Sequence, residues 1–221
     1  MSKKIIGLFG DGQYDLCIYL ACMLENLGLN VCVSDNSCEK SVFNCISKPD
    51  IPLDTVTFKN VDFTCDMAEG DLLNAPYDAV IVNSGSLDEV RDIKSFDERI
   101  LIVKPTILNI LNAKEFLMKN ALPTTVVIRD MCENAPLTMK LFETLENENC
   151  FVLDKYFLDY SDEDKTLELS MYFDGYTNFY GVSMQMERLI LSLARVICTD
   201  EKKLPVSLIK ALHRAERGEC L

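Results

Sequence analysis

The residues Gly7-Leu8-Phe9-Gly10-Asp11-Gly12-Gln13-Tyr14 follow an apolar run and open an amphipathic stretch. A glycine turn between a strand and a helix lets successive backbone N–H groups converge on one anion, and the helix N-terminus adds its positive end. That is the chemistry of phosphate binding. The full pattern, G-x-x-x-x-G-K-[ST], also supplies a lysine that neutralises phosphate and a hydroxyl that holds Mg²⁺. This segment keeps Gly7 and Gly12, but Gln13 stands where the lysine belongs and Tyr14 where the Ser or Thr belongs. Asp11 and Asp15 add negative charge where phosphate would sit. Taken alone, such a turn also fits a plain strand-to-helix connection.

No second constellation competes with it. The single histidine, His213, reads as an exposed helix-face residue, because a general base needs a positioned partner and none is evident. The 10 cysteines show no C-x-x-C spacing. Cys32, Cys38 and Cys45 come nearest to a cluster, at a spacing that matches no known site. Cys17, Cys22, Cys32 and Cys198 fall inside apolar runs, where cysteine behaves as a small hydrophobe. No signal-peptide pattern is evident, so reduced thiols and a cytoplasmic location are expected.

The elements that must position the loop are short apolar runs alternating with helix-period segments. Strands are expected at 5–9, 31–34, 56–58, 79–83, 101–103, 125–128 and 151–153. Most are continuous apolar runs, the pattern of strands covered on both faces. Leu16, Tyr19, Leu20, Met23, Leu24 and Leu27 form one helical stripe that ends at Gly28. Further helices are expected at 107–119, 136–146, 182–199 and 205–217, with Pro136 and Pro205 in first-turn positions. The stretch 38–76 is the least regular and has room for one or two short strands. Ser161-Asp162-Glu163-Asp164 reads as an exposed acidic turn. This alternation argues for a three-layer α/β/α domain around a mainly parallel sheet. The whole chain, 1–221, reads as a single such domain, with 200–221 as a tail helix.

Composition narrows the partners. Hydrophobic residues make up 48% of the chain and charged residues 26%, as in a folded globular domain. A formal net charge of −13 repels nucleic acid, and the basic residues of the tail are interleaved with acids. The tail helix offers Val206, Leu208, Ile209 and Leu212 beside Lys210, Arg214 and Arg217, a small apolar face that supports only weak membrane contact.

Several segments, in order, resemble the ParA/MinD group of deviant-Walker NTPases. After the loop helix, residues 24–35 lead into a second strand that ends in Asp35. Tyr77-Asp78-Ala79-Val80-Ile81-Val82-Asn83-Ser84-Gly85 looks like that family's Walker B strand, and Ile100-Leu101-Ile102-Val103-Lys104-Pro105-Thr106 is similar to the strand that follows it. The resemblance implies a P-loop NTPase topology. It also marks departures. Leu8 stands at the signature-lysine position, Gln13 at the P-loop lysine, Tyr14 at the Mg²⁺ hydroxyl and Asn83 at the Walker B aspartate. Asp35 remains, and Ser37 stands where its acidic partner would be.

Phosphoryl transfer depends on positioned cations and charge stabilisation, and little of either is left. The resemblance therefore implies a pseudo-ATPase nearest to the pilus-assembly and polar-localisation branches. The degenerate site would comprise Gly7, Gly10, Asp11, Gly12, Gln13, Tyr14, Asp35 and Asn83, with no cofactor beyond weak ATP or ADP binding and no metal. Homodimerisation and protein partners are implied, at the inner face of the membrane if at any membrane. The alternative is a nucleotide switch that meets phosphate with Lys3, Lys4, Lys104 or Arg129.

Overall fold

The computed structural model describes residues 3–46, 55–91, 93–132, 143, 145, 150–198 and 204–221. Eight strands form one sheet: β1 (Lys4–Gly10), β2 (Val31–Asp35), β3 (Thr55–Phe58), β4 (Val61–Cys65), β5 (Ala79–Asn83), β6 (Glu98–Val103), β7 (Thr124–Met131) and β8 (Val152–Asp159). Their spatial order is β3-β4-β2-β5-β1-β6-β7-β8. All neighbours are parallel except β3 and β4, which form a hairpin. The central strands β2 and β5 are buried at every position, which explains why they run apolar until the polar residues at their carboxyl ends, Ser34-Asp35 and Asn83.

Helices cover both faces. On one lie α1 (Tyr14–Glu25), α2 (Ser41–Cys45), α5 (Asp162–Asp174), α6 (Met184–Ile197) and α7 (Leu204–Glu216). Tyr19, Met23, Ile190, Leu193, Leu212 and Ala215 belong to that core. On the other lie α3 (Glu69–Asn74) and α4 (Ile107–Asn120), with Leu72, Ile110, Ala113 and Leu117 packed on Phe9, Val80, Leu101 and Val126. Cys32 and Cys45 fall in opposite cores, so the nearest approach to a cysteine cluster in the sequence is divided by the sheet. Cys17, Cys22, Cys32 and Cys198 are all buried.

Three expectations need correction, and each has a physical cause. Residues 161–164 open a helix and are not a turn, although Asp162 and Glu163 are exposed as expected: Ser161 caps α5, accepting from the Asp164 amide at 3.2 Å. The acids that looked like a loop sit in a first helical turn, where the dipole favours them. The strand expected at 151–153 continues to Asp159, because an edge strand tolerates Asp154 and Lys155. The stretch 38–76 holds two helices as well as the β3–β4 hairpin, and β4 alternates buried with half-buried residues instead of running apolar. The expected helix at 136–146 lies outside the described residues, except for Glu143 and Leu145.

The tail helix α7 turns Leu208, Ala211, Leu212 and Ala215 into the core and leaves Val206 and Ile209 exposed. No helix among the described residues is long and apolar enough to cross a membrane. His213 is exposed on α7, 3.2 Å from Glu216.

The sheet's order depends on α1 and α6 closing one face. Ile190→Ala, which removes a side chain with 0% exposure, should lower unfolding free energy by about 2–5 kcal/mol in urea titration. Val196→Ala on the same helix, at 44% exposure, should change it by less than about 0.5 kcal/mol.

Candidate functional site

The loop after β1 sits at the carboxyl end of the sheet, where the strand order reverses and ligands bind in open α/β folds. Its backbone is tied to both neighbours: the Gly10 amide donates to the Gly85 carbonyl at 2.9 Å, and the Asp11 amide to the Ile102 carbonyl at 3.0 Å. Glycine is required at 10, since φ is +112° and a Cβ would meet the Ile102 oxygen.

The side chains of Gln13, Asn83 and Asp35 bond to one another across the loop, β5 and β2. Gln13 Nε2 donates to Asn83 Oδ1 at 2.8 Å. Asn83 Nδ2 in turn donates to Asp35 Oδ1 at 2.8 Å and to the Ser41 hydroxyl at 3.1 Å. Asp35 also accepts from the Ser37 amide at 3.2 Å, the Ser37 hydroxyl at 2.6 Å and the Phe43 amide at 2.9 Å. Three of these donors converge on Oδ1 and the Phe43 amide reaches Oδ2. Gln13, Asp35, Ser37 and Asn83 are all buried, so each would lose stability if left unpaired.

Two further anchors hold the loop from behind. Arg129, from β7, meets Asp15 with two hydrogen bonds of 2.8 Å and donates to the Gly12 carbonyl at 2.7 Å. Burial alone would lower the guanidinium pKa; the Asp15 charge and its hydrogen bonds outweigh that and raise it. Tyr14 donates its hydroxyl to Glu168 of α5 at 3.0 Å, and Lys165 meets the other Glu168 oxygen at 2.6 Å. Burial, then the charges of Glu168 and Asp15, push the Tyr14 phenol upward. Tyr14 is therefore a neutral donor to Glu168. The Cys17 thiol below the loop is pushed up by burial and by Asp35 and Asp15, which keeps it protonated.

This donor set does not fit a magnesium nucleotide. Its hydroxyl, amide and carboxylate groups are committed to each other, and a Glu168 oxygen lies 4.0 Å from the point where a Gly12 Cβ would be. The expected site residues Gln13, Asp35 and Asn83 do come together, with Tyr14 beside them. Gly7 does not face the site; a Cβ there would run into the Phe96 ring. Among the candidate cations, Lys3 bonds the Ala75 carbonyl and Lys4 pairs with Glu98 at the start of β1, the opposite end of the strand. Arg129 is spent on Asp15. Lys104 alone approaches, with Nζ 3.5 Å from the same Gly12 position. A cavity of about 520 Å³ borders the loop at Asp11 and runs along α4; another, of about 500 Å³, lies beside Ser37, Lys40 and Asp66.

No family model and no curated protein matches the sequence. Solved structures do. A plasmid partition protein of Borrelia burgdorferi bound to AMPPNP aligns with a TM-score of 0.62 at 13% identity, over 88% of this chain and 99% of that one. The MinC:MinD cell division complex of Aquifex aeolicus gives 0.56 at 11%, over 96% and 94%. A ParA family ATPase of Chlorobium tepidum gives 0.52 at 11%, over 96% and 98%. The fold is that of ParA/MinD-type NTPases.

Within that ParA/MinD fold, the resemblance read from the sequence located the loop and Asn83. It did not reveal Glu168, Ser41 or the Asp15–Arg129 pair. Glu168 lies 154 positions from Tyr14, and no local pattern encodes such a contact. Arg129 did leave a sign: a basic residue closing the apolar run of a strand, beside an aspartate at the start of an apolar helix elsewhere in the sequence.

Removing one partner of the buried pair leaves the other charge uncompensated. Arg129→Ala should cost about 3–5 kcal/mol in chemical denaturation, and Asp15→Leu combined with Arg129→Met should recover most of it.

Proposed function

We propose that this chain is a non-catalytic ParA/MinD-like scaffold or localisation factor for a cellular assembly such as a pilus, secretion, flagellar or division apparatus. It acts through dimerisation and protein contacts, with no cofactor required. The observation that carries this reading is the Gln13–Asn83–Asp35 chain of hydrogen bonds. The groups that would meet phosphate and Mg²⁺ serve instead as one another's partners. A fold preserved around a self-satisfied loop is selected for its surfaces.

The MinC:MinD complex supports a role in partner binding, because there the fold meets a second protein. The net charge of −13 disfavours direct contact with nucleic acid. The reading places the chain in the cytoplasm. Val206 and Ile209 alone would support only weak contact at the inner membrane face.

One observation favours a second reading, a divergent nucleotide switch: Lys104 sits beside Gly12, where a phosphate would need a cation. Titration calorimetry with ATP, ADP and GTP in the presence of Mg²⁺ separates the two. The scaffold reading expects no saturable binding tighter than about 100 μM, near −5.5 kcal/mol, and no ATP turnover. Tighter binding that disappears in Lys104→Ala would favour the switch.

A further inference from the structure

Helix α5 has two unlike faces. Glu168 and Met171 are buried, whereas Leu169, Tyr172 and Phe173 are 47%, 54% and 77% exposed. Leu169 and Phe173 are four residues apart, so they share one line on the helix with Tyr172 beside them. The Tyr172 ring lies 5.5 Å from Phe173, edge to face, and 6.3 Å from Tyr14. Single exposed apolar residues need no explanation, but three grouped on one helix face do.

Charge of one sign frames this patch. Asp162, Glu163 and Asp174 are exposed at the two ends of the helix. The inner acids are already satisfied: Asp164 accepts from the Ser183 amide and hydroxyl, and Glu168 from Tyr14 and Lys165. Lys165, the only cation of α5, is thereby engaged. The outward field of the helix is negative, on a chain whose net charge is −13.

We infer that the outer face of α5 docks a cationic amphipathic segment of a partner protein. Apolar anchors of that segment pack on Leu169, Tyr172 and Phe173, while its Lys or Arg side chains face Asp162, Glu163 and Asp174. Charge selects this occupant. A second copy would set acids against acids, and nucleic acid or anionic lipid would be repelled. The inference rests on the scaffold reading for its purpose and on α5 alone for its geometry. The contacts from Tyr172 to Tyr14, and from Tyr14 back to Glu168, place the surface one residue from the loop.

The test is fluorescence anisotropy of a labelled amphipathic Lys/Leu helix of about 16 residues, titrated with the full chain. Saturable one-to-one binding is expected, weakened about tenfold or more by Tyr172→Ser with Phe173→Ser. Asp162→Asn with Glu163→Gln and Asp174→Asn, or added salt, should weaken it as well. Leu108→Ser with Leu111→Ser on α4 should leave it unchanged, and a Lys/Ser peptide should not bind. Circular dichroism checks each fold, and Leu169→Ser alone supplies a milder α5 variant. Equal affinity for wild type and α5 variants would overturn the inference. So would self-association in sedimentation that those variants abolish, with no peptide bound. Nucleotide calorimetry is a separate axis: nucleotide binding removes the scaffold reading without touching this one, and a silent peptide removes only this one.

Discussion

A buried hydrogen-bonding group must find a partner, and the loop after β1 meets that demand from within the chain. In a phosphate-binding loop the ligand completes the set. Here Gln13 reaches Asn83, Asn83 reaches Asp35, and Asp35 closes on Ser37 and the first turn of α2. Each link is a neutral donor meeting an acceptor, or a donor meeting the single carboxylate. These buried side chains are therefore paired within the chain, and the strand ends of β1, β2 and β5 are tied together.

The second constraint is electrostatic. Asp15 is buried at the start of α1 and would be costly without Arg129, which also fixes the Gly12 carbonyl. This places a cation behind the loop, not in front of it. The front is bordered by Glu168, a carboxylate held by Tyr14 and Lys165. An incoming triphosphate would meet that carboxylate, already paired with Lys165, and Asp11, with Lys104 beside Gly12 to offset them. The same contact ties α5 to α1, so the helix that carries the exposed aromatic patch is positioned in part by Tyr14.

Much of the fold was legible because burial on both sheet faces leaves a direct trace: the middles of β1, β2, β5, β6 and β7 read as near-continuous apolar runs. Elements that bury one face or none left weaker traces. The β4 strand alternates, and α5 is polar along most of its length with its acids gathered at its N-terminus. The site was legible at its sequence-local part, the glycine turn with Gln13 and Tyr14, and at Asn83 by resemblance. Its long-range part was not. Glu168 and Ser41 enter through contacts across 154 and 42 positions, and a single sequence carries no record of such pairs. Arg129 was seen as a cation but assigned to phosphate, because a salt bridge to Asp15 depends on β7 lying within reach of α1.

The central claim is that the loop is closed by its own side chains. A crystal structure of the chain grown with saturating ATP and Mg²⁺ tests it most directly. The account predicts that the Gln13–Asn83 contact persists at 2.8 Å and that no nucleotide is ordered against the loop. Triphosphate density seated on Gly10 to Tyr14, with Gln13 turned away from Asn83, would contradict it.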